Sequence, residues 1–251
     1  MNGLKLMTWN IGGAYNHKMP LLNKLRNFLN NGIVPKHVVH KISEAIKSAQ
    51  PEIVCLQEVR RKTKEGIDHL KEINANLQKK YKTILGGETH GEHRALLVSK
   101  KQKVGKIEEI KTKNKKAAGI AAYIPKKKTW FASIHLDYSD DLLRFKQLQA
   151  IIDWAKNKKA VIAGDFNFKN SWHFGKKNKE LTRKMVTLLK KNKFKELSKA
   201  INWTHIVPFT KFDYVWTNRQ IKSKFSVLPK RWHMMDHYPL FGKLFLIKKR
   251  N

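Results

Sequence analysis

Apolar runs that stop at a turn residue recur along the whole chain: GLKLMTWNI (3–11), EIVCLQEV (52–59), RALLVSK (94–100), AGIAAYIP (118–125), TWFASIHLD (129–137), AVIAGDFNF (160–168), FDYVWTN (212–218) and PLFGKLFLI (239–247). Their lengths, their β-branched and aromatic residues and the Gly, Asn, Asp or Pro that bounds them predict buried strands. Helical spacing lies between some of them. In DDLLRFKQLQAIIDWAKN (140–157), Leu142, Phe145, Leu148, Ile152 and Ala155 recur at helical intervals, and Asp140 and Asp141 suit the positive N-terminus. HVVHKISEAIKSAQ (37–50), GIDHLKEINANLQKKY (66–81) and ELTRKMVTLLKKN (180–192) predict further helices, the last with a cationic outer face. From 94 to 137, strands follow one another through Lys-rich turns, which implies antiparallel pairing. Crossover helices mixed with hairpins predict an α/β fold with more than one sheet. No internal repeat and no Gly/Ser/Pro linker interrupts residues 1–251, so one domain is expected.

Composition narrows the classes. Hydrophobic residues make up 41% of the 251, which fits a packed core and excludes a disordered chain. No apolar run approaches the ~18 residues that a membrane helix needs. The opening MNGLKLMTWNIGG reads as a strand and turn rather than a leader, and Cys55 alone forms no internal disulfide. A cytoplasmic monomer is the expectation. The 53 Lys and Arg against 19 Asp and Glu leave +34, which calls for a polyanionic partner: each phosphate neutralised releases condensed counterions. Nucleic acid, with DNA foremost, is the expected partner, and an anionic membrane surface is second.

Polar residues at the ends of apolar runs carry the candidate chemistry. Asn10 follows KLMTW, Glu58 follows IVCLQ, His135 and Asp137 follow WFASI, and Asp165 and Asn167 follow VIAG. Asp213 sits inside KFDYVW, and Asp236 and His237 precede the last apolar run. A buried acid costs desolvation energy unless it is paired, so this many at strand ends predict one shared site. The alternation around Phe166 predicts that Asp165 and Asn167 face the site by strand pleat while Phe166 turns into the packing. Taken singly, each has a plainer reading: turn former, cap, solvated acid or satisfied structural histidine. Asp137 is read in that plainer way, as a turn or cap residue.

TWNI (8–11), LQEV (56–59), IHLD (134–137), GDFN (164–167), FDYVW (212–216) and MDHYPL (235–240) occur in that order. Together they resemble the endonuclease/exonuclease/phosphatase superfamily, along essentially the whole chain. The resemblance implies a four-layer α/β/β/α sandwich of two mixed β-sheets flanked by helices, the DNase I-like fold. It also implies Mg²⁺-assisted hydrolysis of a phosphate ester by in-line attack of water, with Mn²⁺ as substitute. Glu58, Asn10 and Asp236 would hold the metal. Asp165 would orient or deprotonate the water, and Asn10 and Asn167 would bind phosphate oxygens. His237, held by Asp213, would contact the phosphate, and His135 would be a phosphate ligand or the leaving-group acid. Arg94 and Trp172 are further candidates for binding substrate. Trp172, His173 and Phe174 would either stack on a base or pack on their own domain.

Three departures from the family pattern stand out. Gly12 replaces a metal-associated aspartate common in abasic-site nucleases. Met235 replaces the usual serine. His93, with Glu92 beside it, falls where an acid supporting His135 is expected. The reading is a metal-dependent DNA endonuclease. A phospholipid or inositol-phosphate phosphodiesterase, and a basic nucleic-acid-binding protein without turnover, are the alternatives.

Overall fold

Twelve strands and four helices are placed among the described residues, which are 3–12, 36–61, 67–89, 91–169, 174–205, 210–229 and 236–246 of a computed structural model. In chain order they are β1 (Leu4–Asn10), α1 (Lys36–Ala49), β2 (Ile53–Val59), α2 (His69–Asn76), β3 (Tyr81–Thr89), β4 (Glu92–Ser99), β5 (Ile107–Lys111), β6 (Ala117–Ile124), β7 (Thr129–His135), α3 (Asp141–Ala155), β8 (Ala160–Asp165), α4 (Lys176–Lys191), β9 (Lys195–Glu196), β10 (Asp213–Thr217), β11 (Ile221–Val227) and β12 (Leu240–Leu246). The strands form two six-stranded mixed sheets, ordered β11-β12-β1-β2-β4-β3 and β5-β6-β7-β8-β10-β9. β1–β2 and β7–β8 are the parallel pairs.

Strand alternation explains why the sheets face each other. Leu6, Ile53 and Leu96 from the first sheet pack against Ile120, Phe131, Val161 and Val215 from the second, in a core closed on both sides. The opposite faces of the same strands are also apolar. Met7, Trp9 and Leu56 meet Val39, Ile42 and Ile46 of α1 and Ile73 of α2. Ala132, Ile162 and Trp216 meet Leu148 and Ile151 of α3 and Met185 and Leu189 of α4. Strands buried on both faces read as continuous apolar runs, which is how those runs look in the sequence. The layers are therefore helix, sheet, sheet, helix.

Some elements differ from expectation. The helix expected over 66–81 stops at Asn76, because Gln78 and Lys79 both take left-handed backbone angles and turn the chain into β3. β11 was not expected: its alternation, IKSKFSV, puts Lys at outward positions and leaves no apolar run. β4 does not pair with β5, as consecutive strands over 94–137 would. It lies between β2 and β3, and the chain crosses to the other sheet before β5 pairs with β6.

One backbone position keeps the second sheet closed near its polar end. Gly164 has φ +150, and a Cβ there would stand 2.0 Å from the Ile134 carbonyl oxygen of β7. Only glycine lets β7 and β8 meet where His135 and Asp165 are in register. Gly164→Ala is expected to lower unfolding free energy by about 3 kcal/mol in urea denaturation. Gly175→Ala, with nothing near the added atom, should cost under about 1 kcal/mol. Equal effects would show that the close approach is not a constraint.

Candidate active site

The polar strand ends gather at one pole. His135 pairs in register with Asp165 across β7 and β8, and Asp165 with Asp213 across β8 and β10. From the other sheet, β1 and β2 bring Asn10 and Glu58 to the same place. A buried chain of side chains fixes the sheets there: Gln57 Nε2 donates to Ser133 Oγ at 3.0 Å, and Ser133 Oγ donates to the Leu56 carbonyl at 2.9 Å.

Two site residues reach the cleft through backbone irregularities. Val54, Leu56 and Val59 all face the helix layer, and a regular pleat would have turned Glu58 to that face as well. A bulge between Leu56 and Val59 adds a residue, and Glu58 takes φ +56 there. The bulge frees Glu58 from the ladder and aims it at the cleft. The pleat expected to present Asn167 is also replaced. β8 ends at Asp165, whose Oδ1 accepts the Asn167 backbone N–H at 2.8 Å, and Asn167 takes φ +49. This side-chain turn brings both residues to the cleft, while Phe166 packs, as expected, against Phe168 and Tyr214.

The resulting cleft, of ≈ 390 Å³, is lined by Glu58, Glu92, Arg94, His135, Asp165, Asn167, Asp236 and His237 among others. Asn10 lies beneath it. Its Nδ2 donates to Glu58 Oε1 at 2.8 Å and to Asp165 Oδ2 at 2.9 Å, so an amide bridges the two acids. His135 Nε2 stands 3.8 Å from each of the same oxygens. His237 Nε2 lies 3.6 Å from Asp165 Oδ2, and its Nδ1 is 2.8 Å from Asp213 Oδ2. The expected Asp213–His237 pair is present.

Burial and crowding set the acidities. Burial, with the negative charge of Glu92, raises Glu58 to about 8 against the relief of its Asn10 hydrogen bond. Burial raises Asp165 to about 6, partly offset by the nearby His237 charge. Burial alone would lower His237, but Asp213 and Asp165 outweigh it and raise the ring to about 10. His135 is held well below its ordinary value, first by burial and then by Arg94 and His237. The pair therefore divides into a cationic ring, His237, and a neutral one, His135.

Other assignments come out differently in detail. Arg94 lines the cleft, but its Nη1 donates to Gly87 O and Thr89 Oγ1 and its Nη2 to the His135 carbonyl at 2.7 Å. It clamps the end of β7. Asp236 accepts the His237 backbone N–H through Oδ1, and its Oδ2 lies 3.5 Å from His205 Nε2. Glu92 pairs with Arg60 at 3.0 Å, while His93 is near Glu88 and away from the cleft. No acid supports His135 from that strand among the described residues. Asp137 is the turn former expected, accepting from Ser139 and Asp140. Phe174 packs near Phe212, while Trp172, His173 and Met235 lie outside the described residues.

His205 and Tyr138 went unnoticed in the sequence. His205 meets His237 edge-on at 4.6 Å between ring centroids, and Tyr138 is 54% exposed at the rim. His205 sits before FDYVW in a segment without strand period, so no pattern marked it.

The donors suit a hard divalent cation. Glu58, Asp165 and Asp236 supply carboxylate oxygens on one cleft, and a cation there would offset the cost of burying charge that chiefly raises Glu58 and Asp165. Asp213 Oδ1 is buried without a hydrogen-bond partner among the described residues. Close ligand groups are Asp165, Asp213 and His237, and His205, Asp236 and His237. Glu58 belongs to neither and is joined to Asp165 through Asn10.

The Endonuclease/Exonuclease/phosphatase family model matches residues 7–230, and the chain belongs to that family. Its members are metal-dependent, and the protein is a hydrolase acting on phosphoester bonds. An endonuclease/exonuclease/phosphatase from Beutenbergia cavernae DSM 12333 superposes with a TM-score of 0.75 at 17% identity, over 98% of this chain and 72% of that one. One from Bacteroides vulgatus gives 0.71 at 19% identity, over 98% and 100%. TDP2 from C. elegans gives 0.64 at 20% identity, over 96% and 75%. These likenesses show the fold. Among curated proteins no relative is found.

The shifts carry a pH dependence of definite sign. Between about 6.5 and 8 the folded, cation-free protein holds protons on Glu58 and His237 that the unfolded chain has released. Stability must fall as pH rises through that window. The thermal midpoint in EDTA is expected to drop from pH 6.5 to 8, and Glu58→Gln should reduce the drop. A midpoint that rises over the same range would contradict the assignment.

Proposed function

We propose that the protein is a metal-dependent nuclease that hydrolyses DNA phosphodiester bonds, using Mg²⁺ with Mn²⁺ as substitute. The observation that carries this reading is the convergence of Glu58, Asp165, His135 and His237 on one cleft in a chain of net charge +34. A cleft lined by acids needs a strongly basic surround to receive a phosphate chain. The wider protein supplies it. A cytoplasmic monomer is part of this reading.

Each side chain has a role that its environment fits. Asp165, raised toward neutrality, orients the attacking water and takes its proton. Its position is fixed by Asn10 and by the Asn167 backbone. His237, kept cationic by Asp213, donates from Nε2 to a phosphoryl oxygen where charge gathers. Neutral His135 binds a second phosphate oxygen, and its place depends on the Arg94 clamp behind β7. Asn167 donates one N–H to the Leu136 carbonyl, which leaves the other for substrate. Glu58 and Asp236 would hold the divalent ion, with the Asn10 amide, whose Oδ1 accepts the Gly12 N–H at 2.9 Å, beside them. When bound, the ion polarises a phosphoryl oxygen and offsets charge on the departing oxygen. Tyr138 at the rim offers a face on which a base can stack.

Incubation of supercoiled plasmid, RNA and sphingomyelin with Mg²⁺ or with EDTA tests the reading. Plasmid cleavage is expected with Mg²⁺, abolished by EDTA, and lowered about 10²–10⁴-fold by Asp165→Ala or His237→Ala. Cleavage of sphingomyelin but not plasmid would overturn the substrate. Plasmid binding without cleavage would overturn turnover. The rate at subsaturating DNA should also fall by about 10³-fold or more between 50 and 200 mM salt if six or more phosphates are contacted. A flat salt profile would contradict a polynucleotide substrate.

A further inference from the structure

The outer face of the first sheet carries a second charged feature, away from the cleft. Lys224 on β11 stands opposite Lys243 on β12, and Lys243 stands opposite Lys5 on β1. Like charges directly opposite one another destabilise a sheet. Lysine on an edge strand has a plain use, since it blunts edge-to-edge pairing. That covers Lys224, because β11 is an edge. It does not cover Lys243 and Lys5, which lie on interior strands.

Lys5 and Lys243 line a groove of ≈ 1090 Å³ together with Lys79, Lys80, Lys100 and Lys101. All of these except half-buried Lys5 are exposed. None of these lysines forms an ion pair among the described residues. The one acid lining the groove, Glu52, is already engaged: Oε2 accepts the Lys5 backbone N–H at 3.1 Å and Oε1 accepts Gln102 Nε2 at 2.6 Å. Lys5 is near the start of β1 and Asn10 at its end. At about 3.3 Å per residue the row stands about 17 Å down the strand from the cleft floor.

We infer that this groove is an exosite for the phosphate backbone of a polynucleotide, which holds one segment of a long substrate while the cleft cuts another. The occupant rests on the nuclease reading, and the charge row stands without it. An array of cations that repel one another across three strands, in a groove whose six lysines face the single carboxylate Glu52 among the described residues, is completed by a ligand that brings several negative charges at regular spacing. A phosphate backbone does so. An anionic membrane fits less well: among the described residues Ile107, Tyr138, Leu142 and Trp203 are the exposed large apolar ones, and none lines the groove to enter a bilayer.

The test compares the wild type with the triple variant Lys5→Gln, Lys100→Gln, Lys243→Gln, all three lining the groove, with each single variant, and with the charge-keeping triple Arg variant. Binding of a duplex of about 60 base pairs, about 200 Å long, is read by fluorescence anisotropy in EDTA across a salt series. Hydrolysis of bis(p-nitrophenyl) phosphate, which reaches only the cleft, is read with Mg²⁺ or Mn²⁺. The triple Gln variant is expected to bind the duplex about tenfold more weakly at moderate salt, with a salt slope smaller by about 2–3. Each single variant should lose about 1, and the Arg variant should bind as the wild type does. Small-diester hydrolysis and the thermal midpoint should not fall. Unchanged duplex affinity and slope in the folded triple variant overturns the exosite. Lysine-dependent binding of phosphatidylserine vesicles, with no binding of duplex, overturns its occupant. Lysine-dependent duplex binding by a wild type that cleaves no nucleic acid supports the exosite and removes the nuclease reading instead.

Discussion

Gathering of carboxyl groups at one largely buried pole of the two sheets is the constraint on which the rest of this structure depends. Where both sheets end, the Asn10 amide joins Glu58 to Asp165, and the His237 ring joins Asp165 to Asp213. Buried like charges oppose ionisation, so the pocket persists only with compensation. Three groups supply it: the Asn10 amide between Glu58 and Asp165, the His237 ring between Asp165 and Asp213, and a site able to accept a cation. The weakened acidity of Glu58 and Asp165, whose first cause is burial, and the cationic His237 are consequences of this one arrangement.

The architecture maintains that gathering by several independent means. Parallel register puts His135 beside Asp165, and Gly164 lets their strands approach. The bulge at Glu58 and the left-handed Asn167 break strand regularity only at the cleft. Backbone strain of this kind costs on the order of 1–3 kcal/mol per residue and survives where the surrounding structure overdetermines it. Here the overdetermination is visible: the Gln57–Ser133 link joins the sheets beneath the site, and Arg94 ties β3, β4 and β7 together behind His135. The chain belongs to a family of hydrolases, and a shared fold leaves the substrate to the particular residues of each site.

Much of this was legible in the chain. Strands buried on both faces have to be continuously apolar, and β1, β2, β7, β8 and β10 announced themselves in that way. An acid at the end of such a run is conspicuous, so Glu58, Asp165 and Asp213 were found together with the residues that neutralise them. Less visible were features that depend on long-range partners. β11 is an edge strand whose outward Lys residues dilute its pattern. The bulge at Glu58 has no local composition signal, since its cause is the demand that Val59 return to the helix side. His205 becomes part of the site only through its contact with His237 and Asp236. The pleat expected at Asp165 and Asn167 gave the right face for the wrong reason, because a side-chain turn does the positioning.

The central claim is that Glu58 and Asp165 form one cation-requiring centre. Titration of the protein with Mn²⁺, followed by electron paramagnetic resonance at pH 8, tests it most directly. The account predicts one tight site per chain, weakened at least about tenfold by Glu58→Gln and again by Asp165→Asn, with the fold retained. Equal Mn²⁺ affinity in the wild type and both variants would contradict it.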